Sequence, residues 1–294
     1  MATILFICVG LDIVLHIVTT SYSSMPENAS FGLVAHTLGT EMTATLWALF
    51  AFSCVAFVYL HIRSDIPGAG VRNGLRYGTA IGLLWLFAML EGVPMFGNLL
   101  VNEFVVGLSD AIPVFVLSLL LSKLLKDKSE RYVPVASVPK SKMKAISTFA
   151  GMFLAGRYIA YFAGVIRSGY HTRPIETFIW TLFMGITIGT VFVFLGNAGG
   201  GQSLRQRAMK FGVLAFGLNW AAFLVFMPLL LSGYIADVVL RIVIDTTLVT
   251  VSAYLTIVSD DRILERKGIR GESKERTGDA RRAGRRPFLP RYKS

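Results

Sequence analysis

The residues with chemistry to offer are the ionisable ones that interrupt long apolar runs. Asp12 sits midway in the run 2–20, and His16 follows one helical turn on, on the same face. Asp110 lies midway in 99–122, seven residues after Glu103 and three before Pro113. Glu91 is near the far end of 75–96, and Arg157 is midway in 145–166. In 234–258, Asp237, Arg241 and Asp245 recur every four residues, so on a helix they share a face and partly neutralise one another. An ionisable group at the bilayer centre costs about 2.5–3.5 kcal/mol to insert. Each of these eight residues is therefore a candidate for a substrate or proton site. The competing reading is structural: each acid caps a turn or hydrogen-bonds Ser, Thr or Tyr between helices.

Other chemistries find little support. The histidines His16, His36, His61 and His171 are scattered, without the facing pairs that haem ligation needs. No HExxH, CxxC or GxSxG motif occurs, and Gly199-Gly200-Gly201-Gln202-Ser203 lacks the Gly-Lys-Ser/Thr of a phosphate loop. No cofactor, metal or catalytic residue is expected from spacing. A lipid-modifying enzyme would want His, Asp or Glu clustered at one interface, and none is seen. Cys8 and Cys54 fall inside apolar runs, so no disulfide framework is implied.

The elements that must position these residues follow from composition. The 294 residues are 54% hydrophobic and 16% charged, with a mean hydropathy of +0.60. Soluble domains run about 45–50% apolar and about 25% charged, so an ordinary soluble enzyme and a largely disordered chain are both excluded. Eight apolar runs stand out: 2–20, 43–62, 75–96, 99–122, 145–166, 177–196, 208–231 and 234–258. Each is long enough to cross a bilayer as a helix, the open-chain form that satisfies its own backbone in lipid. Tight turns are expected at 93–98 and 231–233, where Pro and Gly punctuate almost unbroken apolar sequence. The first run lacks a basic leader and carries Asp12, so it is read as a span and not as a cleaved signal.

Charge orients the chain. With both termini cytoplasmic, the inner loops and tail hold 25 of the 29 Lys and Arg residues, and the outer loops hold Arg167 and Arg173. That accounts for the net charge of +11 without nucleic acid, for which no aromatic interleaving is seen. The tail 259–294, with 12 basic and 6 acidic residues, is expected to be disordered and cytoplasmic. Beyond anchoring the topology, it could attract anionic lipid. Asn28-Ala29-Ser30 fits a glycosylation site in an outer loop.

The chain also repeats itself. Trp47-Ala48-Leu49-Phe50 matches Trp180-Thr181-Leu182-Phe183, Arg76-Tyr77-Gly78 matches Lys210-Phe211-Gly212, Pro94 matches Pro228, and Asp110 matches Asp245, all at offsets of 133–135 residues. This predicts an all-α polytopic membrane protein of about eight spans in two parallel four-helix repeats, residues 1–125 and 145–258. Residues 126–144 form a cytoplasmic linker, and 259–294 the tail. Four spans is an even number, so the repeats share a heading and a pseudo-two-fold axis along the membrane normal. Asp12 and Arg157 then occupy equivalent helices at comparable depth. Arg157 should pair with Asp245, whereas Asp12 should face Asp110. Two carboxylates held together cannot both stay ionised, so a proton or cation becomes welcome there. Small residues at Ala80, Gly82, Gly185 and Gly189 suit close helix packing. Tyr161, Tyr170 and Trp180 fit interfacial belts.

The run from Gly70-Val71-Arg72-Asn73-Gly74-Leu75-Arg76-Tyr77-Gly78 through Gly82-Leu83-Leu84 to Pro94 resembles a group of small uncharacterised prokaryotic four-helix membrane proteins. In these a Gly-rich inner turn precedes an Arg-aromatic-Gly helix start. The likeness spans about 50 residues of the first half and is fainter in the second, where Lys210 and Phe211 replace the Arg-Tyr pair. It implies a membrane-embedded helical fold and carries no activity.

The expected function is that of a multi-pass cell-membrane transporter or permease for a small solute or ion, with proton coupling as one form of it. Substrate would sit where the repeats meet. The alternative is a non-catalytic scaffold, sensor or assembly factor acting through its basic tail. The expected partners are the lipid bilayer and anionic lipids at the tail, with homo-oligomers compatible and nucleic acid not expected.

Overall fold

The computed structural model of the chain describes residues 1–23, 29–125, 139–195 and 203–266. In chain order the α-helices are α1 (Ala2–Val18), α2 (Leu33–Leu38), α3 (Thr40–Ile62), α4 (Val71–Met89), α5 (Gly92–Phe96) and α6 (Leu100–Leu124). These are followed by α7 (Pro139–Phe162), α8 (Pro174–Leu195), α9 (Leu204–Met209), α10 (Leu218–Leu224), α11 (Phe226–Leu230) and α12 (Ile235–Arg266). A π-helical stretch, Lys210–Gly217, joins α9 to α10. Among the described residues the extended structure is a single bridge between Phe31 and Leu231.

Six segments are long and apolar enough to cross a membrane: Thr40–Asp65, Val71–Phe96, Leu100–Leu124, Pro174–Leu195, Leu204–Leu230 and Ile235–Arg262. Their apolar residues face both ways. In α3, Trp47, Ala51, Val55, Tyr59 and Ile62 are buried at helical spacing, while Phe50 and Phe57 are exposed. A helix apolar on both its packed and its outward face suits a lipid surrounding. The protein thus fits a multi-pass membrane protein. The eight runs of the sequence correspond to these six segments, to the shorter apolar helix α1, and to α7 with its basic first turns.

The breaks near 92 and 226 take a form the sequence only partly specifies. Pro94 and Pro228 each sit third in a five-residue helix, α5 and α11, that continues the preceding helix after a kink. A first-turn N–H has no partner within a helix, so proline costs little there. The reversal expected over 93–98 falls at the far end of that stretch, at Gly97, whose φ of +80° is a left-handed conformation that glycine adopts without strain. The second reversal uses Gly233, φ +76°, inside the expected 231–233 turn. Boundaries shift elsewhere too. Helix α7 starts at Pro139 inside the expected linker, and α12 runs to Arg266 into the expected tail. The rest of both segments, together with Asn28 and Gly199 to Gln202, lies outside the described residues.

Packing is closest between α4 and α6 and between α7 and α8. At Gly185 and Gly189 a Cβ would press on the backbone of Ala150 and Ile146, so α8 approaches α7 as closely as small residues allow. Helix α1 packs on α3 and α6, and α12 packs on α7 and the π-helical stretch. The largest contacts that cross between the first six helices and the rest are α4 with α8 and α3 with α10; α5 also meets α8, and α11 meets α2 and α3. In the first, Trp180 Nε1 donates to the Phe87 carbonyl at 2.9 Å. In the second, Trp47 Nε1 donates to the Ala222 carbonyl at 2.8 Å. At the opposite end, Arg76 Nη1 donates to the Phe194 carbonyl at 3.4 Å, and Lys210 pairs with Asp65.

Candidate functional site

The buried charges gather in two places. In the first, Asp12 and His16 project from α1 and Asp110 from α6. His16 Nε2 is 3.1 Å from Asp110 Oδ1 and 3.8 Å from Asp12 Oδ1. Both carboxylates are 5% exposed, while the imidazole is 33% exposed. Beside them the hydroxyls of Thr19 and Ser109 are 3.1 Å apart, tying the end of α1 to α6. Asp12 Oδ1 is buried without a hydrogen-bond partner. Among the described residues, His16 is the one basic side chain that reaches either acid. With a neutral imidazole the cluster carries two uncompensated negative charges.

The second place is a closed network. Arg157 of α7 makes a two-pronged contact with Asp245 of α12, Nε to Oδ1 at 2.7 Å and Nη2 to Oδ2 at 2.6 Å. Its Nη1 donates to Glu91 Oε1 at 3.0 Å and to the Tyr161 hydroxyl at 3.2 Å. Trp220 Nε1 donates to Asp245 Oδ2 at 2.9 Å. Arg241 donates to Asp237 Oδ2 at 2.6 Å and also to Glu91 and the Arg167 carbonyl. The Arg167 N–H returns to Asp237 Oδ1 at 2.6 Å. Phe153, Tyr161 and Trp180 place their rings 5.3–5.9 Å from the Arg157 guanidinium. Planar guanidinium forks are satisfied here as the geometry of such groups demands. Two cations and three acids are bonded to one another, and Arg157 and Asp245 are both 0% exposed.

The eight sequence-flagged residues therefore divide into Asp12, His16 and Asp110 in one cluster, and Glu91, Arg157, Asp237, Arg241 and Asp245 in the other. Arg157 meets Asp245, the pairing expected from the sequence, and Asp12 lies near Asp110, with His16 in contact with both. Glu91, near the end of the third run, joins Arg157 and Arg241 and not the first cluster. Glu103 stands apart, accepting from Asn98. Tyr161 and Trp180 correct the interfacial-belt reading: both are buried. Their polar tips bond inward, Tyr161 to Arg157 and Trp180 to Phe87. Trp220 and the Arg167 backbone carry no charge signal in the sequence, so reasoning from ionisable residues passes over them. The first cluster has no motif spacing either, since His16 and Asp110 are 94 residues apart.

No protein-family model, curated protein or solved structure matches the chain.

Proposed function

We propose that the chain is a small-solute or ion transporter of the cell membrane, with eight spans arranged as two parallel four-helix repeats and both termini cytoplasmic. The spans are α1, α3, α4 with α5, α6, α7, α8, α9 to α11, and α12. The single observation that carries this reading is that contacts between the halves come in matched pairs. Trp47 bonds to Ala222 in the seventh span, and Trp180 bonds to Phe87 in the third. Arg76 reaches the end of α8, and its counterpart Lys210 reaches the end of α3. A Cβ at Gly32 would meet the Pro228 carbonyl, and one at Gly169 would meet the Pro94 carbonyl. These are what a pseudo-two-fold along the membrane normal would generate.

The same operation relates Asp12 to Arg157, His16 to Tyr161 and Asp110 to Asp245. One half then carries a closed ion-pair network and the other a polar cluster short of positive charge. Two equivalent bundles, one rigidly cross-bonded and one with an unsatisfied polar site, suit rocking of one against the other around a midplane site. The kinked helices α4–α5 and α9–α11 lie at the contact between halves, where such motion would pass.

The test is flux. The purified chain is reconstituted in vesicles with an entrapped pH-sensitive dye, a proton gradient is imposed, and inorganic cations and amino acids are offered in turn. Solute-dependent proton movement above that of empty vesicles is expected. It should persist when the chain is cut after Arg266, because the basic tail is not part of the pathway. Absence of flux with every solute, together with loss of cellular phenotype on removing the tail, would instead establish a scaffold or assembly factor.

A further inference from the structure

We propose that Asp12, His16 and Asp110 bind one divalent first-row transition-metal cation. The idea deepens the transport reading by naming the class of ion at its unsatisfied cluster, but the donor geometry stands without that reading. Three ligand atoms, one from each side chain, lie within 4.8 Å of one another. Metal–nitrogen and metal–oxygen bonds of about 2.0–2.2 Å place two ligands of one ion at most about 4.4 Å apart. The measured separations from His16 Nε2 are 3.1 Å and 3.8 Å. The two distances from His16 Nε2 fall within that span, and the 4.8 Å bound on the set exceeds it by a margin that turns of the two carboxyl groups can close.

Charge argues the same way. Two buried carboxylates beside a neutral imidazole leave a charge of −2 in a medium that penalises it heavily. An imidazolium would offset one of these charges and would hydrogen-bond one of the acids. A divalent cation offsets both and also takes the Nε2 lone pair. Asp12 Oδ1 is the independent sign: a buried carboxylate oxygen with no hydrogen bond, 3.8 Å from His16 Nε2. Buried polar atoms are rarely left so unless something else occupies the place.

The second half shows what the equivalent place holds when the cation is built in. There the counterpart of Asp12 is Arg157, whose guanidinium lies against Asp245. Substituting a carboxylate for that guanidinium removes a positive charge and adds a negative one. Among the described residues only a protonated His16 can replace part of that charge, whereas a bound divalent cation replaces all of it. This comparison rests on the two-repeat reading. The orphaned oxygen and the three donors do not.

Donor type narrows the ion. One imidazole and two carboxylates, without sulfur, favour manganese, iron, cobalt or zinc as divalent ions over copper(I), while the imidazole disfavours magnesium and calcium. Three protein ligands leave coordination positions for water or an arriving ligand.

The experiment is a Co²⁺ titration of the full chain in detergent, with any affinity tag removed, read by visible absorption and repeated with Zn²⁺ by calorimetry. One ion per chain is expected. Asp12→Asn and Asp110→Asn should each weaken binding by about 100-fold or more, since even outer-shell partners of a metal ligand are worth 10–100-fold. Glu103→Gln, a buried carboxylate on the same helix outside the cluster, should leave binding unchanged and shows that the titration reads the site. No stoichiometric ion in the wild-type chain overturns the proposal, as does equal binding by the Asp12→Asn/Asp110→Asn double variant. The transport reading fails separately: an ion that binds but never crosses the vesicle membrane removes transport and leaves the site. Flux by a wild-type chain that binds no stoichiometric metal removes the site and leaves transport.

Discussion

Arg157 shows how much a single side chain can depend on its surroundings. A guanidinium with no exposed surface is tolerated because each of its three nitrogens has an acceptor, and its carboxylate partner Asp245 receives a further donor from Trp220. Removing one member strands the other. Arg157→Met should therefore lower stability by about 3–5 kcal/mol, the usual cost of leaving one partner of a buried pair uncompensated. It should appear as a drop in the melting temperature of the detergent-solubilised protein. The double variant Arg157→Met/Asp245→Asn removes the stranded charge and should recover most of the loss. A double variant as unstable as the single one would mean that Asp245 is held by something other than Arg157. Much of this was legible beforehand, because a lone arginine inside an apolar run announces that a partner exists, and the repeat points to Asp245. The convergence of both arginines on Glu91 was not legible. It depends on where the third span kinks, and apolar periodicity on either side of a kink looks the same.

At the scale of elements, the helices themselves are easy to read and their ends are not. Runs of apolar residues fix existence, since backbone groups in lipid must bond within the segment. Ends are set by local details such as Pro94 opening a five-residue helix, or α12 continuing past Val258 because nothing there breaks it. The π-helical stretch Lys210–Gly217 is invisible in sequence for the same reason, since a one-residue widening hardly alters apolar spacing. The cross-half tryptophans give a sharper test. Trp47 and Trp180 are both buried, and each ties the second helix of its half to the third helix of the other through one indole hydrogen bond. Phenylalanine keeps most of the ring and removes the donor. Trp47→Phe and Trp180→Phe should therefore each cost about 0.5–1.5 kcal/mol and should cost alike. Thermal unfolding of the two single variants and the double variant measures this. If one substitution is silent while the other is severe, the two contacts are not counterparts.

For the whole molecule, the proposed arrangement of four spans per half has a directional consequence. Two parallel repeats place the α5–α6 and α11–α12 reversals on one face of the membrane, and the α3–α4 turn on the other, whereas repeats with an odd number of spans would put the two reversals on opposite faces. The flanking positions Leu99, Ser232 and Ser64 are exposed, so they can report this without disturbing the core. The native thiols, Cys8 and Cys54, are buried and half-buried respectively, and can be replaced first. In intact cells, a membrane-impermeant maleimide should label Leu99→Cys and Ser232→Cys alike. Ser64→Cys should become reactive only after the membrane is opened, because the excess of Lys and Arg assigns its side to the cytoplasm. The reverse pattern at all three sites would keep the two halves parallel and invert the orientation. Labelling of Leu99→Cys and Ser232→Cys from opposite sides would break the pseudo-two-fold itself. It would also remove the argument that Asp12 stands where Arg157 stands, leaving the Asp12, His16 and Asp110 cluster to be judged on its own three donors.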